Sequence, residues 1–201
     1  MHQGESMTFK THQQHKHASE LRTSSRRRFL QVGLGATAGL VMPNAFANLL
    51  KQPERKLSLL NLHTGESINA TYWAEGQYQT GELHAINKVL RDFRTGDVHN
   101  MDNDLIDLLN IMHHKIGGNQ PFHVISAYRS PKTNAALSKN SSGVAKKSLH
   151  MQGKAIDIRL PGHRLSDLRK VALNLHAGGV GFYPESDFIH VDTGHVRQWG
   201  A

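Results

Sequence analysis

Two short apolar segments of this chain carry ionisable groups in their middle, and that restricts how either can be buried. One is Ala155-Ile156-Asp157-Ile158-Arg159-Leu160; the other is Phe188-Ile189-His190-Val191-Asp192. Both alternate with period two and read as strands. In the second, Phe188, His190 and Asp192 share a face while Ile189 and Val191 turn to the core. In the first, Asp157 lies between two isoleucines. An unpaired carboxylate there would cost several kcal/mol, so it needs a cation, an arginine or strong donors. His150 precedes this strand in Ser148-Leu149-His150-Met151-Gln152-Gly153, where Gly153 lets the chain turn back. A divalent metal held by His150, Asp157 and His190 would satisfy all three groups. It would also leave a fourth position for water, the layout of a catalytic zinc site. The alternative is structural histidines, since neither segment carries the helical His-Glu-x-x-His motif.

The rest of the pattern predicts an α+β domain: a small, mainly antiparallel sheet flanked by helices. Leu57–Leu62 and Ser67–Trp73 read as a β-hairpin around His63-Thr64-Gly65-Glu66. Leu83, Ile86, Val89, Leu90 and Phe93 recur at helical spacing, with Thr80 as a cap. Asp102 or Asp104 opens a second helix closed by Gly117-Gly118. A strand over Phe122–Ala127, a short helix from Pro131 to Leu137 and a polar loop over 138–149 follow. Ser166 caps a last helix ending at Gly178-Gly179. Val180–Tyr183 and Phe188–Asp192 pair across a Pro184 turn. Lys146-Lys147 reads as a solvated loop pair, and Trp73 and Trp199 as core or rim packing. Tyr128 and Tyr183 either pack or flank a cleft.

The N-terminal segment reads as an address. After a polar, His-rich start come Ser25-Arg26-Arg27-Arg28-Phe29-Leu30-Gln31, a mild apolar run to Val41, Pro43, and Ala45-Phe46-Ala47. A basic start, an apolar middle and a small-x-small end make an export signal. The run is shorter than the ~20 residues of a membrane span, so no stable span is expected after cleavage. The arginines followed by Phe-Leu resemble a twin-arginine signal. That resemblance implies the twin-arginine export machinery as a partner through Arg26, Arg27 and Arg28. It also implies a route that carries folded proteins, often with their cofactor in place. The predicted organisation is a signal segment over 1–47, a linker over 48–56 and a domain over 57–201.

Charge matters only once divided along the chain. The 201 residues carry 24 Lys+Arg against 16 Asp+Glu, a formal +8. Residues 1–47 hold Lys10, Lys16, Arg22 and Arg26–Arg28 against Glu5 and Glu20, so half the excess leaves with the signal. No basic run remains that would make a nucleic-acid patch. The absence of cysteine excludes disulfide frameworks, cysteine-ligated zinc and thiol nucleophiles.

Ser148-x-His150-x-x-Gly153-x-Ala155-x-Asp157 with Phe188-Ile189-His190-Val191-Asp192 resembles the LAS-type zinc peptidases, which include D-Ala-D-Ala carboxypeptidases and murein endopeptidases. Ser126-Ala127-Tyr128-Arg129-Ser130 is similar to that superfamily's Ser-Gly-Tyr-Arg-Ser segment. Leu59–Ser67, Gly143–Ser148 and Ala177–Gly181 are similar to its YcbK-like branch, of murein endopeptidase K type. The resemblance spans roughly residues 57–199. It implies one zinc per chain, held by His150, Asp157 and His190. Arg129 would bind the substrate's carboxylate or polarise its carbonyl, and Ser148 would line the cleft. Asp187, three residues before the last histidine, stands where some relatives place a glutamate as general base. Asp192 is the other candidate, as base or as a partner orienting an imidazole.

The implied function is a periplasmic, zinc-dependent murein endopeptidase hydrolysing peptide crosslinks of peptidoglycan in cell-wall remodelling. A D-Ala-D-Ala carboxypeptidase and a non-catalytic, zinc-containing cell-wall binding module stay open. Asp187 and Asp192 within reach of the reacting water would favour an enzyme; both turned away would favour the module.

Overall fold

The computed structural model describes residues 51–140 and 144–200. The signal segment expected over 1–47 lies outside the described residues. Strands β1 (Glu54–Asn61) and β2 (Ser67–Ala74) form the expected hairpin, and β1 starts three residues earlier than its hydropathy suggested. A two-residue strand, β3 (Gln77–Tyr78), pairs with β2. Helices α1 (Thr80–Val89) and α2 (Asn103–Ile116) follow, then β4 (Phe122–Ser126) and α3 (Pro131–Asn140). A 3-10 turn over Leu149–Gln152 precedes β5 (Ala155–Arg159) and α4 (Leu165–Leu175). The chain then runs through β6 (Gly179–Tyr183), a turn at Pro184–Ser186, β7 (Phe188–Asp192) and β8 (Arg197–Trp199).

The caps follow local chemistry. The side chain of Asp102 accepts from the Asp104 amide at 3.0 Å, and Gly117 ends α2 in the left-handed conformation at φ 70°. Helix α4 departs from expectation. Arg164 rather than Ser166 stands at its N-cap, and His176 ends it at φ 48°, before the glycine pair is reached.

The α+β class holds, but the sheet is neither small nor built as expected. It has eight strands in the order β3-β2-β1-β4-β5-β7-β6-β8 and is mixed. Strand β4 lies parallel to β1, and β8 parallel to β6. The reason is connectivity. Helices α1 and α2 form a crossover between the hairpin and β4, which returns the chain in the same direction. The segment after β7 carries the chain past β6, so that β8 adds to its free edge.

The two sheet faces are unequal. Leu57, Leu59, Phe122, Val124, Ile156, Ile158, Ile189 and Val191 are all buried in one core with Leu105, Leu109, Leu168 and Ala172 from α2 and α4. Each fully buried Leu, Ile or Val contributes about 1.5–3 kcal/mol. That face supplies the stability. The alternate residues, Asp157, Arg159, Phe188 and His190, occupy the other face, where no core competes with polar chemistry.

Candidate metal centre

The register of β5 and β7 sets Asp157 directly opposite His190. His150 reaches the same point from the 3-10 turn. Ser148 caps that turn by accepting the His150 amide at 3.3 Å, and Gly153 closes it at φ 66°. A Cβ on Gly153 would also collide with the Asn100 carbonyl oxygen, so the turn requires glycine twice over.

The three side chains converge. His190 Nδ1 is 2.9 Å from Asp157 Oδ1 and 3.2 Å from His150 Nε2, and His150 Nε2 is 3.4 Å from Asp157 Oδ1. The far ring nitrogens settle which atoms face inward. His150 Nδ1 donates to the Ala127 carbonyl at 2.7 Å, and His190 Nε2 donates to Asp192 Oδ2 at 2.9 Å. With its ring neutral, each imidazole presents an unprotonated nitrogen beside the carboxylate. Zinc bonds of about 2.0–2.1 Å in a tetrahedron need ligand atoms roughly 3.3 Å apart. The observed spacings bracket that value, so these residues could hold such an ion. Among the described residues they form the one cluster of this kind.

The charges agree with that use. Burial works against ionising Asp157, but the imidazoles of His150 and His190 outweigh it and hold the carboxyl well below the usual range. Burial lowers His190, and the carboxylates of Asp157 and Asp192 on either side more than restore it, leaving it above its ordinary value, so an ion at Nδ1 would displace a proton from that atom. Asp192 is raised by burial, then driven well below the carboxylate range by donors from His190, Arg197 and two backbone amides.

These groups open into a cleft of about 420 Å³. Arg129 enters from the end of β4, its guanidinium 4.0 Å from Asp157 Oδ2. Ser126 Oγ and Asn134 Oδ1 each accept from it at 3.3 Å. Its Nε has no partner among the described residues, and burial pulls its pKa down from the ordinary value. Ser148 lines the cleft, and its hydroxyl is engaged as a cap.

Asp187 is not brought to the cluster. It sits at φ 51° after the Pro184–Ser186 turn, its side chain 62% exposed, and pairs with Arg159 at 2.7 Å. Its carboxylate is committed to Arg159 and does not line the cleft. Asp192 reaches the site through His190 and is fully buried behind it, a position that suits orienting the imidazole rather than facing the cleft.

Sequence reasoning missed Arg197, which grips Asp192, and undervalued Trp199. Both line the cleft, and the Trp199 ring lies 5.1 Å from that of His190. Tyr183 also lines it, accepting from Trp199 Nε1 at 2.8 Å, whereas Tyr128 stacks on His99. The available signal was an obligatorily buried acid, Asp192, with an arginine five residues on.

A family model described as peptidoglycan L,D-endopeptidase MepK matches residues 50–199. The chain belongs to this family. Among its curated relatives, the peptidoglycan L,D-endopeptidase MepK of Escherichia coli (strain K12) is 43% identical over 177 residues, covering 88% of this chain and 97% of the relative. The probable peptidoglycan L,D-endopeptidase MepK of Haemophilus influenzae is 38% identical over 177 residues, covering 87% and 95%.

Proposed function

We propose that this chain is a zinc-dependent murein endopeptidase that hydrolyses peptide crosslinks of peptidoglycan in the periplasm. The observation that carries this reading is the convergence of His150 Nε2, Asp157 Oδ1 and His190 Nδ1 beside Arg129 in one cleft. Membership of a peptidase family decides for an enzyme. Neither Asp187 nor Asp192 lines the cleft, which alone would have favoured a binding module. The relatives' name, an L,D-endopeptidase, favours internal cleavage over removal of a terminal D-Ala.

His150, Asp157 and His190 would hold the ion. When bound, zinc supplies a Lewis acid that polarises a carbonyl and lowers the pKa of water from 15.7 to about 7. The remaining work belongs to the chain. The planar guanidinium of Arg129 binds a substrate carboxylate or the carbonyl oxygen on which charge develops. A donor placed so commonly contributes about 3–4 kcal/mol to the transition state. Tyr183, Phe188 and Trp199 wall the cleft and restrict water around it. Asp192 holds His190 with Nδ1 inward throughout.

Export by the twin-arginine route rests on Arg26–Arg28 and the Ala45-Phe46-Ala47 site. The similarity to the relatives is longer than residues 50–201 can contain, so it continues upstream into that segment. Among the described residues no helix is long and apolar enough to cross a membrane.

The test is incubation of the zinc-loaded protein with crosslinked peptidoglycan, products read by mass, with His190→Ala as control. Loss of crosslinked dimers that the variant cannot cause supports the proposal. Release of terminal D-Ala alone would assign a carboxypeptidase instead.

A further inference from the structure

Asp192 is 0% exposed and is surrounded by donors. Its Oδ1 accepts from the backbone amides of Gly179 at 3.0 Å and Gly194 at 2.8 Å, and from Arg197 Nη1 at 3.1 Å. Its Oδ2 accepts from Arg197 Nη2 at 2.6 Å and from His190 Nε2 at 2.9 Å. The two guanidinium bonds are parallel and reach both oxygens, the bidentate arrangement that fixes a carboxylate's plane as well as its charge. The local chain makes room for it. A Cβ on Gly179 would run into the Arg197 guanidinium and Asp192 Oδ2.

Arg197 itself is not buried. Its side chain is 36% exposed and lines the cleft, on the three-residue strand β8. Its guanidinium carbon lies 5.0 Å from the centre of the Trp199 ring, and that ring rests against His190. Residues 197–199 thus touch His190 twice, once through Asp192 and once through the indole.

Without the arginine, Asp192 would keep its two amide donors, both on Oδ1. Nothing but His190 would then hold Oδ2. The carboxylate plane could turn, and the imidazole would lose the acceptor that keeps its proton on Nε2. A proton moved to Nδ1 would point at Asp157 and block the atom that faces the metal position.

We propose that Arg197 is a positioning residue for the metal centre: its bidentate grip on Asp192 fixes the His190 tautomer that leaves Nδ1 free to bind the ion. This rests on the reading that His150, Asp157 and His190 hold zinc. Arg197 touches neither the ion nor the reacting atoms, and its effect travels through Asp192.

The experiment measures zinc affinity of the purified chain by chelator competition, for wild type, Arg197→Gln, Arg197→Lys and Arg164→Gln. Loss of a partner behind a ligand typically weakens metal binding about 10–100-fold. Arg197→Gln should show that loss. Arg197→Lys, which keeps the charge without the fork, should fall between. Arg164→Gln removes an exposed arginine paired with Asp167 and should match wild type. Nitrogen-15 spectra of His190 in the metal-free chain, at a pH above its raised value where the ring is neutral, supply the second reading: one tautomer, protonated at Nε2, in wild type, and a mixture in Arg197→Gln. A purely structural role for Arg197 would leave that signature unchanged. Wild-type affinity and a single tautomer in Arg197→Gln overturn the proposal. Where that variant does not fold, wild-type affinity in Arg197→Lys overturns the role of the fork. A wild-type chain that takes up no zinc overturns the metal centre itself, a different failure from loss in the variants alone.

Discussion

Replacing Asp92 by Asn should destabilise the chain in a way that depends on pH, because this carboxylate anchors the loop that presents Arg129. Asp92 is 1% exposed. Its Oδ2 accepts from the Ser130 amide at 2.9 Å and its Oδ1 from the Arg94 amide at 3.0 Å. Tyr128 N and Arg129 N donate to the carbonyls of Leu90 and His150, so the segment is pinned on both sides. Burial raises the Asp92 pKa, but bonds from Thr133, Ser130 and Arg94 outweigh it and bring it from 3.8 to about 2. At 1.36 kcal/mol per pH unit, that depression corresponds to about 2–3 kcal/mol of stability. Because the folded value is the lower one, the contribution is complete above pH 3.8 and is lost as pH falls towards 2. Urea unfolding of wild type and Asp92→Asn, both in chelator so that metal binding does not enter, reads the difference. It should be about 2–3 kcal/mol near neutrality and shrink steadily below pH 3.8. A difference that stays constant down to about pH 2, or one below ~0.5 kcal/mol throughout, would refute the reasoning.

Asp107→Ala should cost about 3–5 kcal/mol in the same assay, because it strands the Arg55 guanidinium and the Tyr72 hydroxyl in the core. Adding Arg55→Met should recover part of that loss; no recovery would argue against a stranded charge. Asp187→Ala should keep kcat/KM within roughly threefold, since its carboxylate pairs with exposed Arg159 outside the cleft; a loss above about 100-fold would restore it as a catalytic base. Changing Arg26, Arg27 and Arg28 to Lys should leave the precursor uncleaved in the cytoplasm, followed by immunoblot of cell fractions; normal maturation would contradict the twin-arginine assignment.

What could be read from the sequence was whatever depends on neighbours along the chain. Period-two alternation located β5 and β7 and set Asp157, His190 and Phe188 on the non-core face. Gly153 announced the turn that returns His150. What stayed hidden depends on long-range pairing. Strand β8 has only three residues, too few for a periodic signal, and exists because β6 offers it an edge. Arg197 and Trp199 enter the cleft only through that pairing, so no local periodicity marked them. Asp187 shows the converse error. Its place three residues before His190 suggested, by family resemblance, a shared role, but its carboxylate pairs with Arg159 instead. The parallel β1–β4 pair likewise follows from the crossover through α1 and α2, which hydropathy cannot orient.

The central claim is that His150, Asp157 and His190 hold a catalytic zinc. Its most direct test is to strip the purified chain with a chelator, titrate zinc back, and follow bound metal and crosslink cleavage in the same samples. One high-affinity zinc per chain is expected, with activity that returns in proportion to it, and neither in His190→Ala. Full cleavage by the metal-free chain, or stoichiometric zinc in His190→Ala, would contradict it.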